Sequence, residues 1–234
     1  MIFTYVFQFM NKKPLIFLGS NATFSVFSRV CELNQIPIHG ILDNDYWGNT
    51  KEVCDIPVIG SELNFNFDQA KDKFDFFVAS SASSVEVRDI ERRLAMIAIV
   101  EKYNLNCPNL IHPTSELLKP YTLGKGVFVG FCAGTGPNVI LKDHCQIHMQ
   151  GGIAHDSTLG KNSVLERQAV LSSDVIVGEN VKIGFRSGIF KGVHLGNNSV
   201  IMPGVTVARD VEENEIVSLA GDNKRRIYGP VIRT

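Results

Sequence analysis

The chain has 234 residues, of which 44% are hydrophobic and 20% charged, with a formal net charge of −1; this suits a soluble globular protein of one large domain or two small ones. With no basic excess there is no electrostatic footprint for nucleic acid or for an anionic membrane surface, so the expected ligand is small. The five cysteines (Cys31, Cys54, Cys107, Cys132 and Cys145) are odd in number, widely spread and lack a CxxC pair; this argues against a disulfide framework and structural zinc, and fits a reducing, cytoplasmic setting.

Residues 1–10 (MIFTYVFQFM) are apolar but too short to span a bilayer, and they have neither a basic leading segment nor a small-residue cleavage site. They read as an upstream start or as a short extension packed on the body. From 11 to 108 short β-rich runs alternate with helical stretches, the pattern of a small Rossmann-like parallel α/β domain. PLIFLGS is expected as a buried strand and turn, 22–34 as a helix, and IPIHGILDN as a second strand ending in an acidic loop. IPVIG and FDFFVAS are expected as further strands, and Ser84 to Tyr103 as the longest helix. Ligands of such sheets sit beyond the carboxyl ends of the strands, here 19–23, 43–46 and 80–84. GSNATF has one glycine where a dinucleotide loop has three, which disfavours an NAD site.

After Asn109 the periodicity changes. In sixes from Ile111 the chain runs IHPTSE, LLKPYT, LGKGVF, VGFCAG and onward to VARDVE; sixteen of seventeen hexads begin with Ile, Leu or Val, and only Thr135 departs. The fifth place is mostly Ser, Ala, Val, Gly or Cys. A strict hexad repeat marks a parallel β-helix, whose single coil cannot bury its apolar face without neighbours above and below. Three hexads make one triangular coil, so residues 18 apart stack at about 4.8 Å. The expected β-helix domain spans 109–213, with 214–234 as a tail, and its register is expected to run undisturbed from Ile111 to Glu212.

His148 and His155 lie in QIHMQGGIAHDSTLG, in the second and third places of consecutive hexads. Neither place is the inward aliphatic one, so both side chains are expected on turns or faces. A metal reading needs three convergent ligands, and His112, His144 and His194 fall in other places and coils, so no metal is expected. A general-base reading needs one imidazole and an acid to orient it, which His155 and Asp156 offer. The column of His155 continues through Ser173, Lys191 and Arg209, the last two roughly 10 and 14 Å away by the strand spacing, a track that suits an extended pantetheine and its phosphates. Lys224, with Arg225 and Arg226, is a further basic group for a nucleotide 3′-phosphate, or a solvated tail.

Hexads of this kind resemble the left-handed β-helix of the hexapeptide-repeat acyltransferases. The run from PLIFLG through ILDND, IPVIG and NLIHPTS to IAHDSTLG resembles the bacterial sugar-nucleotide acetyltransferases, the bacillosamine-pathway and perosamine N-acetyltransferases and sialic acid O-acetyltransferase, over nearly the whole chain. That resemblance implies acetyl-CoA as acyl donor, a nucleotide-linked sugar amine or hydroxyl as acceptor in glycan biosynthesis, and a homotrimer with acetyl-CoA between neighbouring helices. It implies His155 as base beside Asp156, and Gly19, Ser20, Asn21, Asp43 and Asn44 as acceptor contacts; His148, whose hexad precedes that of His155 around the same coil, is expected as a second polar contact to the acyl or sugar group. The departures are Thr23 in the first loop, Asn44 for an aspartate, His148 for an asparagine, Val164 for a second histidine, Ser173 for a glycine, and AGDNK at the close. Two readings from other classes stand beside this one: a non-catalytic binding or assembly scaffold, and a metal-dependent hydratase on the same helix.

Overall fold

The computed structural model describes residues 12–20, 24–80 and 87–218. The extension 1–10, Asn21, Thr23, residues 81–86 and Lys224 with its basic neighbours lie outside the described residues.

The N-terminal half is a five-stranded sheet built on Leu15–Leu18 (β1), Ile38–Leu42 (β2), Glu52–Val53 (β3), Ile56–Gly60 (β4) and Asp75–Val78 (β5). Its order is β3-β4-β2-β1-β5, and all pairs are parallel except the short edge pair of β3 with β4. β1 is apolar at every residue and entirely buried, as a strand covered on both faces must be. Its alternation sorts the layers: Leu15 and Phe17 face helix Phe24–Leu33 (α1) through Phe24, Phe27 and Val30. Ile16 and Leu18 face the opposite layer, which holds Phe67 of the short helix Phe67–Ala70 (α2) and Met96, Ile97 and Val100 of Val87–Lys102 (α3). The expected strands are all present; α2 and the antiparallel β3 were not anticipated, because four- and two-residue elements leave no periodic signal.

From Leu110 the chain winds into three parallel sheets of seven, six and five short strands. The first face carries Phe128–Val129, Gln146–Ile147, Val164–Leu165 and Lys182–Ile183; the second carries Gly134–Thr135, Gly152–Ile153 and Val170–Leu171; the third carries Val139–Leu141, Thr158–Leu159 and Ile176–Val177. Partners such as Ile147 with Leu165 and Ile153 with Leu171 are 18 residues apart. The first-place aliphatics from Val129 to Val207 form one continuous core with the small fifth-place residues, each buried Leu, Ile or Val contributing about 1.5–3 kcal/mol. Thr135 sits in the same inward place, buried, its hydroxyl without a hydrogen-bond partner among the described residues.

From Gly126 to Gly204 the fourth place of the hexads takes a left-handed backbone, as at Cys132 (φ 50°) and Asp174 (φ 61°). That explains the Asn, Asp and Gly there, the residues that tolerate this conformation best.

Two expectations about the end of the helix are corrected. Val200 and Ile201 pair with Ile216 and Val217, and Leu195 bridges Val211, each 16 residues on instead of 18. The last corner is therefore two residues shorter, and the stack continues past 213.

The α/β half packs on the first face. Phe128 and Leu110 complete the α1-side core, with the Phe128 ring edge-on to Phe27 at 4.8 Å. The Asn34 side-chain amide donates to the Ile111 carbonyl at 2.9 Å, and Lys161 pairs with Glu101.

Candidate functional site

His155 and Asp156 occupy the third and fourth places of one hexad, at the corner between the second and third faces. The left-handed turn at Asp156 (φ 59°) brings its carboxylate beside its own neighbour's ring. His155 Nδ1–H donates to Asp156 Oδ2 at 2.6 Å, and the Asn138 amide, one coil earlier in the fourth-place column, donates to Asp156 Oδ1 at 2.9 Å. The bond from His155, and then that from Asn138, hold the Asp156 carboxyl below the usual carboxylate range. With Nδ1 engaged as donor, Nε2 is the ring nitrogen left with a lone pair. The His155 side chain is 52% exposed. Beside it the second face forms an open groove lined by Leu118, Gly134, Gly136, Gly152, Ala154 and Val170.

The His155 column stacks as expected for two steps. Asp174 N–H donates to the His155 carbonyl at 3.2 Å, and Gly192 N–H to the Ser173 carbonyl at 3.1 Å, placing Ser173 and then Lys191 below His155. Lys191 Nζ lies 3.2 Å from Asp174 Oδ2. Arg209 leaves the column: the shortened last corner turns it to Glu215 Oε1, at 2.6 Å, and to the Asp210 carbonyl.

His148 is corrected. Instead of standing on an open face it is buried under the α/β half, with Nε2 3.1 Å from Gln146 Oε1 and its ring edge-on to Phe128 at 5.7 Å. Burial lowers its pKa, and it shares no contact with His155. The same seam holds His144, whose two ring nitrogens have no hydrogen-bond partner among the described residues; burial, reinforced by the charge of Arg93, pushes it down to about 4. Gln146 Nε2, Glu166 Oε1 and Lys182 Nζ are also buried without partners among the described residues, and burial lowers Lys182 to about 8.

At the carboxyl ends of the strands Gly19 and Ser20 lie beside Asp43, with Asn44 next to it, while Asn21 lies outside the described residues. Gly19 has φ 73°, a backbone that strains any residue with a side chain, and a Cβ there would crowd Met96 Cε at 2.8 Å and Ser80 Cβ at 3.1 Å. Ser20 Oγ donates to Asp43 Oδ2 at 2.7 Å. Asp43, fully buried, also accepts at Oδ1 from the backbone of Asp45 and from Arg92 Nη2 at 2.5 Å. Its oxygens are thus spent on shaping the loop. Asn44 is held in the same way, its N–H donating to Glu62 Oε2 at 2.6 Å and its side chain accepting from Ser61. Tyr46, Trp47 and Arg88 stand exposed beside this loop, Arg88 paired with Asp45 at 2.8 Å.

Asn138, Glu62, Arg92 and Arg93 are the site residues missed from sequence. Asn138 was findable, since it lies 18 residues before Asp156 in the fourth place. The arginines were not, because the periodicity of ERRLAM shows a helix but not what each polar side chain reaches.

A family profile described as the hexapeptide repeat of succinyl-transferase matches residues 174–209. No curated protein matches the chain. Among solved structures, the acetyltransferase domain of PglB from Neisseria gonorrhoeae, in complex with acetyl coenzyme A, superposes with a TM-score of 0.77 at 20% identity, covering 88% of this chain and 96% of its own. PerB from Caulobacter crescentus, in complex with CoA and GDP-perosamine, gives 0.77 at 20% identity over 92% and 97%. WeeI from Acinetobacter baumannii gives 0.75 at 17% identity over 92% and 99%. The stacked coils fit a left-handed β-helix acetyltransferase fold, and the chain shares that fold with the PglB domain and PerB.

Proposed function

We propose that this chain is an acetyl-CoA-dependent acetyltransferase acting on an amine, or a hydroxyl, of a nucleotide-linked sugar, and that it works in the cytoplasm as a homotrimer. The observation that carries the reading is the Asn138–Asp156–His155 chain on an open corner: a half-exposed imidazole donating at Nδ1 to a carboxylate that is itself held. The shared fold with the PglB domain and PerB supports the donor and acceptor classes. No helix among the described residues is long and apolar enough to cross a membrane.

His155 Nε2 removes the proton of the acceptor as its nitrogen or oxygen attacks the thioester carbonyl, and Asp156 stabilises the imidazolium that forms. The main-chain N–H at Ser173, one coil below, supports the oxyanion. Collapse breaks the carbon–sulfur bond, and the departing CoA thiolate takes the proton from His155, leaving the acetylated sugar and free CoA. Ser173 and Lys191 lie along the donor track; Arg209 and Lys224 stand as further donor contacts, with Arg209 first having to leave Glu215. The strand ends at Gly19, Ser20 and Asn21, with the loop shaped by Asp43 and Asn44, form the acceptor side of a Rossmann-like domain. His148 supports the junction and touches neither substrate.

The test is thiol release from acetyl-CoA with UDP-, dTDP- and GDP-linked 4-amino sugars and sialic acid. Release with one acceptor class, cut about 10²- to 10⁴-fold in His155→Ala, is the expected result. Silence across the panel, with no CoA bound, would leave a non-catalytic scaffold.

A further inference from the structure

Arg92 and Arg93 are neighbours on α3 and serve different parts of the molecule. Arg92 reaches Asp43 and Asp45 at the acceptor loop. Arg93 is 2% exposed and has no carboxylate partner among the described residues; burial lowers its pKa to about 10. Its hydrogen bonds join three segments. Nη1 donates to the carbonyls of Val78 (3.1 Å) and Ser80 (2.8 Å) at the carboxyl end of β5; Nη2 donates to the carbonyl of His144 (3.0 Å), and Nε to Asn162 Oδ1 (2.7 Å), both on the β-helix.

The β-helix end of this clamp is ordered in turn. Asn162, held by Arg93 at its oxygen, donates its amide to Asn180 Oδ1 at 2.9 Å, and Asn180 donates to Asn198 Oδ1 at 3.0 Å. All three amides run the same way, so the guanidinium heads a polarised ladder down one corner. Asn162 also lies on the coil of His155: its corner is the next one along, across the single strand Thr158–Leu159. At the other end, Ser80 packs against Gly19, with Met96 of the same helix on that glycine. A buried guanidinium without a counter-charge is costly, and an apolar side chain would fill the space with less penalty. What the guanidinium adds is direction, since its planar fork fixes several acceptors at once.

We infer that Arg93 is a positioning residue for acetyl transfer, locking the acceptor floor at the end of β5 to the coil that carries His155. The inference rests on the proposed transferase activity. It places acceptor binding, and not donor binding, under Arg93's control, because the donor track at Ser173 and Lys191 lies on the β-helix alone.

Steady-state kinetics of the full chain with acetyl-CoA and the sugar panel test it, using Arg93→Met, Arg93→Lys and Asn162→Gly; glycine keeps the left-handed turn at 162 (φ 56°) while removing one of the four bonds. In Arg93→Met the KM for the sugar should rise at least tenfold and kcat should fall, while the KM for acetyl-CoA changes less than twofold. Arg93→Lys should recover part of the loss, and Asn162→Gly should raise the sugar KM by roughly three- to tenfold, since a small misplacement is costly in a reaction that depends on orientation. Equal changes in both KM values, or a lowered melting temperature with kinetics unchanged, would overturn the positioning role while leaving the transferase intact. A wild-type protein silent with every sugar would overturn the transferase reading and the role with it. Should Arg93→Met fail to fold, Asn162→Gly and Arg93→Lys carry the same KM comparison, and no selective effect in either overturns the inference.

Discussion

The open corner at His155 and the seam beneath the α/β domain are built from the same hexad repeat, and they give histidine opposite chemistry. At the corner the ring meets a carboxylate held from the coil before it, with solvent on its other side. In the seam, His144 and His148 are covered by a second domain, and burial drives both toward the neutral form. Hexad place sets where a side chain leaves the coil; what covers that face sets whether the group can carry charge.

The corner is the more sensitive to a loss of function and the less sensitive to a loss of stability. His155→Ala should cut kcat about 10²- to 10⁴-fold and shift folding stability by no more than about 0.5 kcal/mol, as expected of an exposed side chain. Thiol release and urea denaturation on the same preparation check both halves. In the seam the weights reverse. Phe128→Ala removes the ring that bridges Phe27 of α1 and His148, and should cost about 3–5 kcal/mol in urea denaturation. A cost under about 1 kcal/mol would show that the two domains do not share a core through Phe128.

The seam also predicts a pH dependence. His144 has a folded pKa of about 4 against an ordinary value of 6.5. Between those values the unfolded chain binds a proton that the folded chain refuses, so stability is full above pH 6.5 and falls as the pH drops towards 4, by about 3 kcal/mol in all. His144→Asn removes the titration and keeps a residue suited to the left-handed turn at φ 57°. The stability of that variant, measured between pH 7 and 4.5, should decline less steeply than the wild type's by most of that amount; parallel curves would mean that His144 is charged in the fold.

Most of the β-helix is legible in the sequence, because a six-residue period fixes inward places and an 18-residue period fixes neighbours. The repeat fails where geometry departs from the period. The last corner drops two residues, which moves Arg209 from the His155 column to Glu215. It could not show His148 buried, because nothing in a hexad says which face another domain will cover. In the α/β half the strands were legible from their apolar runs, while the use made of Asp43 was not. Its saturation by Ser20, the Asp45 backbone and Arg92 depends on residues 23 and 49 positions away.

The smallest expected effect bears most directly on how the corner works. Asn138 holds one oxygen of Asp156 and His155 the other, and the His155 bond is the stronger influence on the carboxyl. Asn138→Gly tests the lesser partner cleanly, because glycine accepts the left-handed backbone at φ 59° and only the amide is lost. If the coil-to-coil bond aims the carboxylate at the ring, kcat should fall by less than about tenfold, the range of one ordinary hydrogen bond of about 0.5–1.5 kcal/mol. The Asp156 carboxyl, followed by carbon NMR, should titrate higher than in the wild type. It should move further still in His155→Ala, since that variant removes the larger influence. An Asp156 that titrates at the same pH with and without Asn138 would mean that the acid is oriented by its own turn alone. The column of fourth-place residues would then carry the backbone geometry and nothing of the chemistry.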